Sequence, residues 1–220
     1  MKKLALLSAL LISLVATSAK AEIFVWKDPQ FDIKVTYPDN WMRQAQLDDD
    51  MRLFVLAPQG MDHAACRLYA AHDGLFMDAP AYAGQEVSGF VFSPAQVQKE
   101  MIMRPDTSAV QVVGYSNGAS LGQGAAVMAN VNFMKSWAGM QFPMRALVVA
   151  SQYHGDHVLM SCETLANAWT KWEPTMQAIM KSVSWPSAFA PEPNGLYRRF
   201  QDDGGVILPL NRRADGATLR

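Results

Sequence analysis

Apolar and polar positions alternate most legibly in the last third of the chain. From Met144 to Trp185 it reads as a strand, a tight turn, a second strand and a long amphipathic helix. Residues 146–151 are almost wholly apolar and residues 157–163 alternate loosely, the patterns of buried and half-buried strands. Gly155-Asp156, flanked by His154 and His157, predicts a two-residue hairpin with Gly at the first central position, where positive φ is required. Such a turn sets His154 against His157, Tyr153 against Val158 and Val149 against Cys162. Leu147, Val149, Val158, Met160 and Cys162 then share the core face. In the helix, Trp169, Trp172, Met176, Ile179, Met180 and Val183 recur at spacings of three and four, forming one buried stripe.

Upstream, residues 23–26 and 31–37 predict the first strands, the second alternating Phe31, Ile33 and Val35 with Asp32, Lys34 and Thr36. Tyr37-Pro38-Asp39-Asn40-Trp41 reads as a turn that returns an indole to the core. Residues 52–57 and 66–71 are further strands, with Gly60 and Asp62 punctuating the loop between them. Ser93-Pro94-Ala95-Gln96 predicts a helix start, Ser as N-cap and Pro at the first helical position. Val97 and Met101, with Ile102 beside them, give that helix an apolar side, and Arg104-Pro105 ends it. Residues 110–115 and 126–134 predict strands separated by a loop rich in glycine (Gly114, Gly118, Gly122, Gly124). After Trp185-Pro186 the composition turns to Pro, Gly and balanced charge, so residues 187–220 read as an extended or disordered tail. Strands first, a helix in mid-chain and a long helix last predict an α+β fold, a mainly antiparallel sheet covered by helices.

The strand Phe31-Asp32-Ile33 running into Tyr37-Pro38-Asp39-Asn40-Trp41, then Leu53-Phe54-Val55-Leu56, resembles the opening of PsbP-like proteins. Arg145-Ala146-Leu147-Val148, Val158-Leu159-Met160-Ser161 and Ile179-Met180-Lys181-Ser182-Val183 are similar to their ending. The resemblance spans residues 22–186 and implies an α/β/α sandwich around a central antiparallel sheet. It also implies a largely non-catalytic protein that assists assembly or stability of membrane complexes, some members binding ions. It brings no catalytic residue set to transfer. The glycine-rich loop and the tail depart from the family pattern and leave the partner open.

Three features bear on where the chain works. Lys2 and Lys3, an apolar run from Leu4 to Ala16, and Ala19-Lys20-Ala21 form the pattern of a secretory signal over residues 1–21, and the run is too short for a comfortable transmembrane span. The expected mature chain therefore does not span a membrane. Losing Lys2, Lys3 and Lys20 leaves 16 bases against 20 acids, a charge near −4 that argues against nucleic acid as a partner. The two cysteines, Cys66 and Cys162, would reach an oxidising compartment. There they pair across a sheet or remain buried as small hydrophobes, and both readings stay open.

Candidate chemistry is sparse. Gly114-Tyr115-Ser116-Asn117-Gly118 matches the G-x-S-x-G elbow that exposes a serine nucleophile, and Ala119–Met128 would have to be the helix after it. The later acid and base could only be Asp156 with His154 or His157, nearly adjacent in one hairpin, whereas a triad draws them from separate loops. A polar turn is the simpler reading. His154 and His157, if directly opposite, could share a divalent metal with Asp156, though a two-histidine site at an exposed turn binds weakly. Met176 and Met180 lie on the core stripe, which makes packing their better account than a soft-metal surface. Asp48-Asp49-Asp50 lacks the oxygen spacing of a calcium loop. No cofactor is expected. The reading is an exported binding or assembly factor for an envelope complex, possessing a tail at 187–220 able to dock on its own domain or on a partner's sheet edge. The alternative is a small secreted serine hydrolase using Ser116.

Overall fold

A computed structural model describes residues 22–45, 50–58, 62–75, 84–122, 124–153 and 155–185. The signal segment, Asp48, Asp49, Gly60, His154 and the tail at 187–220 lie outside the described residues. Two sheets form. Strands β1 (Ile23–Lys27) and β2 (Lys34–Pro38) make an antiparallel ribbon. Strands β3 (Met42–Arg43), β4 (Met51–Leu56), β5 (Ala65–His72), β6 (Thr107–Leu121), β7 (Gly124–Trp137), β8 (Met140–Tyr153) and β9 (Asp156–Leu165) make an antiparallel sheet in the order β3-β4-β5-β9-β8-β7-β6. Helices α1 (Gly84–Val91) and α2 (Pro94–Ile102) lie on one face of it, and α3 (Trp169–Lys181) with the β1–β2 ribbon on the other. This is the α/β/α sandwich, built on an antiparallel sheet.

The α3 face buries the predicted stripe. Trp169, Met176, Ile179, Met180 and Val183 pack on Leu147, Val149, Val158, Met160 and Cys162, with Trp172 half-buried beside them. Each such fully buried side chain removes apolar surface worth roughly 1.5–3 kcal/mol. Trp41 returns to this core and meets Trp172 edge-on at 5.7 Å. Cys66 and Cys162 face each other across β5 and β9 and are disulfide-bonded, at a sequence separation of 96.

The last hairpin differs from expectation in register. Tyr153 pairs with Asp156, Gln152 with His157, Val149 with Met160 and Leu147 with Cys162. The turn therefore precedes Asp156, and Gly155 takes positive φ (80°) in it. Asp156 joins the strand instead, where its Oδ1 lies 2.7 Å from Nδ1 of His72 on β5. The slip is two residues, and side chains repeat every two, so the core face survives intact.

The glycine-rich stretch is also not a loop. It is the length of two long strands joined at Gly122, whose φ of 56° supplies the turn. The Trp185 indole closes over that turn: a Cβ on Gly122 would lie 2.9 Å from it, and one on Gly124 would lie 2.5 Å from Ser151 Oγ. β6 is an edge strand with register shifts at three places, bulges that twist its free side away from further pairing. Helix α1 is not foreshadowed by an apolar stripe. It docks through Ser88, whose hydroxyl donates to the Ala125 carbonyl and accepts from the Gln152 N–H. In α2, Ser93 Oγ accepts the Gln96 N–H as the N-cap, Val97 and Met101 are buried, and Ile102 is exposed. Among the described residues no helix is long and apolar enough to cross a membrane.

Candidate binding site

The second face of the sheet is only partly roofed. Phe92, Val97 and Met101 cover Val127, Ala129, Val131, Val148 and Ala150 on β7 and β8. Beyond α2, toward β9, β5 and β4, the same face lies open as a trough. Strand alternation decides what lines it. Leu68 and Ala70 on β5 point into the α3 core with Cys66, so Arg67 and Tyr69 point into the trough. Their neighbours Leu159 and Glu163 on β9, with His157, share that side.

Three adjoining compartments follow one another. The first, about 610 Å³, lies between α2 and β4 and is lined by Asp50, Met51, Tyr69, Asp73, Phe92, Gln96, Glu100, Met103, Arg104, His157 and Leu159. The second, about 320 Å³, shares Met51, Tyr69 and Arg104 with it and adds Phe54, Arg67, Lys135 and Glu163. The third, about 170 Å³, shares Lys135 and is walled by His63, Trp137, Phe142 and Met144. Exposed apolar side chains stand at both ends, Met103 at the first and Trp137 at the last.

Glu163 is the electrostatic centre. Only 2% exposed, it holds Lys135 Nζ at 2.6 Å and Arg67 Nη1 at 2.7 Å on Oε1, with Arg104 Nη1 3.7 Å from Oε2. Burial pushes its carboxyl up. Arg67, Lys135 and Arg104, with the Lys135 hydrogen bond, more than reverse this and hold it at about 2. Arg67 Nη1 touches Oε1 as an ion pair but off the hydrogen-bond line, and it has no acceptor of its own. The Arg67 guanidinium carbon lies over the Phe54 ring at 4.2 Å and that of Arg104 over the Tyr69 ring at 5.4 Å. Burial pulls the Arg104 guanidinium below its ordinary value, while Tyr69 and Glu163 pull the other way. At the opposite end Gln152 Nε2 donates to Asp73 Oδ1 (3.0 Å), Asp73 Oδ2 lies 3.5 Å from His157 Nδ1, and His157 meets the Phe92 ring edge-on.

Of the residues singled out from sequence, His157 lines this trough. It stands opposite Gln152, and His154 lies outside the described residues. Among the described residues no three His, Cys, Asp or Glu side chains converge to hold a metal ion. Ser116 is elsewhere, in the middle of edge strand β6, paired with Met128, its Oγ accepting the Gly118 N–H at 3.2 Å. The residues after it continue as strand, so the stretch is neither a turn nor an elbow. The bulge between Ser116 and Ala119 accommodates the glycine that imitated one. Sequence reading passed over Arg67, Tyr69, Arg104, Lys135 and Glu163. A signal existed: Arg67 interrupts the apolar run of β5 and Glu163 ends the run that begins at Val158, and such charges stay buried only when paired.

No protein-family model matches the chain, and no curated protein does. Solved structures with a similar fold exist. One is the cyanobacterial PsbP of Synechocystis, with a TM-score of 0.45, 10% identity, and coverage of 77% of this chain and 96% of that one. The chain resembles the PsbP-like proteins in structure. LpqN of Mycobacterium tuberculosis, involved in cell envelope biogenesis, is similar at a TM-score of 0.40 and 13% identity, covering 74% of this chain and 90% of its own. A Pseudomonas aeruginosa protein of unknown function gives a TM-score of 0.41 and 12% identity, covering 79% and 99%.

Proposed function

We propose that this protein is an exported binding or assembly factor that holds an extended segment of an envelope partner in the open trough. The observation that carries the reading is the half-roofed sheet face. A sheet face that α1 and α2 could have covered is left as three connected compartments, with Met103 and Trp137 exposed at its ends. Exposed large apolar groups framing a concave polar surface are the mark of a docking site rather than of a free surface. The Cys66–Cys162 disulfide fits an oxidising compartment and so supports export of the chain behind its residues 1–21. In this proposal residues 187–220 form a separate tail that strengthens capture.

Photo-crosslinking in the native envelope tests it. Benzoylphenylalanine in place of Met103 or Trp137 is expected to give a discrete adduct with another envelope protein. The same group in place of Ile23, exposed on the opposite layer, serves as the control. Adducts of equal yield from all three positions, or none from Met103 and Trp137, would end the trough reading. Deletion of 187–220 should reduce the adduct yield. An unchanged yield would remove the tail from the proposal and leave the trough.

A further inference from the structure

We infer that the middle compartment of the trough is an anion site, in which Arg67, Arg104 and Lys135 take a carboxylate or phosphoryl group carried by the bound segment. The inference rests on the trough reading and adds the chemistry that the trough selects.

Charge balance comes first. Three cations line this compartment against two carboxylates, the buried Glu163 and the exposed Asp106, so positive charge is in surplus. Glu163 does not exhaust the donors. Its Oε1 is shared by Lys135 and Arg67, and its Oε2 is 3.7 Å from Arg104, beyond hydrogen-bonding distance. Arg67 Nη1 meets Oε1 only as an ion pair off the hydrogen-bond line, and Arg104 gives Nη1 to Ser161 Oγ at 3.1 Å. A guanidinium paired off the hydrogen-bond line keeps donor capacity that an arriving oxyanion takes up with better geometry.

Preorganisation comes second. Phe54 and Tyr69 hold the two guanidinium groups over their ring faces, so little side-chain freedom remains to be lost on binding. Both side chains are close to nine-tenths buried, at 12% and 13% exposure, which keeps solvent screening low. Lys135, at 30% exposure, stands nearer the mouth, placed to meet a charge entering from solvent. About 320 Å³ accommodates a carboxylate or phosphate with several attached atoms. The neighbouring compartment, carrying Asp50, Asp73 and Glu100, repels the same anion, so the ligand's charged group is confined to the middle.

The test is titration of the isotope-labelled mature protein with sodium phosphate and, separately, sodium acetate at constant ionic strength, reading the Arg67 and Arg104 Nε–H signals. The expected result is saturable movement of both signals with at least one anion in the millimolar range. Lys135→Gln should weaken it roughly tenfold, the size of one lost charge contact, and Lys171→Gln, on the exposed pair with Asp62, should leave it unchanged. Thr107→Glu, which puts a competing carboxylate on the compartment wall, should abolish it whether or not Lys135→Gln folds. A response to phosphate alone assigns a phosphoryl ligand, and to acetate alone a carboxylate. Silence of both signals, or equal movement in the Thr107→Glu protein, overturns the anion site. Crosslinking from Met103 and Trp137 alongside that silence would locate the failure in this inference and not in the trough.

Discussion

Replacing Glu163 with Gln removes one charge from the centre of the trough while keeping the side chain's shape and an acceptor for Lys135. The loss can be sized from the structure. The carboxyl falls from 4.5 to about 2 on folding: burial opposes ionisation, and Arg67, Lys135 and Arg104 overcome it. At ~1.4 kcal/mol per pH unit this contributes about 3 kcal/mol to stability. The figure agrees with the roughly 3–5 kcal/mol lost when one partner of a buried ion pair is removed. The sign follows from a folded value below the unfolded one. The contribution is complete above pH 4.5 and is lost as pH falls through about 2. Urea denaturation followed by tryptophan fluorescence should therefore place E163Q about 3 kcal/mol below the wild type at pH 7. The gap should narrow between pH 4.5 and pH 2, where the wild-type carboxyl itself becomes neutral. Other carboxylates titrate in both proteins and cancel in the difference. A gap that stays constant across that range, or none at pH 7, would refute the electrostatic argument.

Three further outcomes follow from packing. Gly124→Ala should cost about 1–3 kcal/mol by overpacking, because its Cβ would meet Ser151 Oγ at 2.5 Å and Trp185 at 3.0 Å. Gly139→Ala, in open space at φ 77°, should cost only about 1 kcal/mol of backbone strain. Equal urea midpoints for the two variants would contradict the Trp185 contact. Reducing the Cys66–Cys162 bond, which closes a loop of 96 positions, should lower stability by about 4–5 kcal/mol, and an unchanged denaturation midpoint in reductant would show that the cross-link is idle. Ser116→Ala should shift stability by less than about 0.5 kcal/mol. A fluorophosphonate probe should leave Ser116 unlabelled in the wild type, and labelling lost in the variant would reinstate the hydrolase reading.

What the sequence determined alone is parity. The side-chain alternation of β8 and β9 and the three-four spacing of α3 are local properties of each segment, so the core face and the buried stripe were legible without coordinates. Ser93-Pro94 likewise marked the start of α2, because a cap is satisfied within one turn. Register was not legible. Slips of two residues leave the apolar face unchanged, and in the observed one Asp156 stands opposite His72 on another strand. Helix α1 was hidden because a buried serine, not an apolar stripe, seats it on the sheet. The glycines of β6 and β7 looked like a loop until Trp185, far along the chain, covered their turn. The trough is tertiary altogether. Arg67, Arg104, Lys135 and Glu163 are scattered in sequence, and only the β5–β9 pairing, the end of α2 and the approach of β7 bring their charges together. A charge becomes strong when other segments bury it, and burial is a property of the packed chain rather than of any stretch of it.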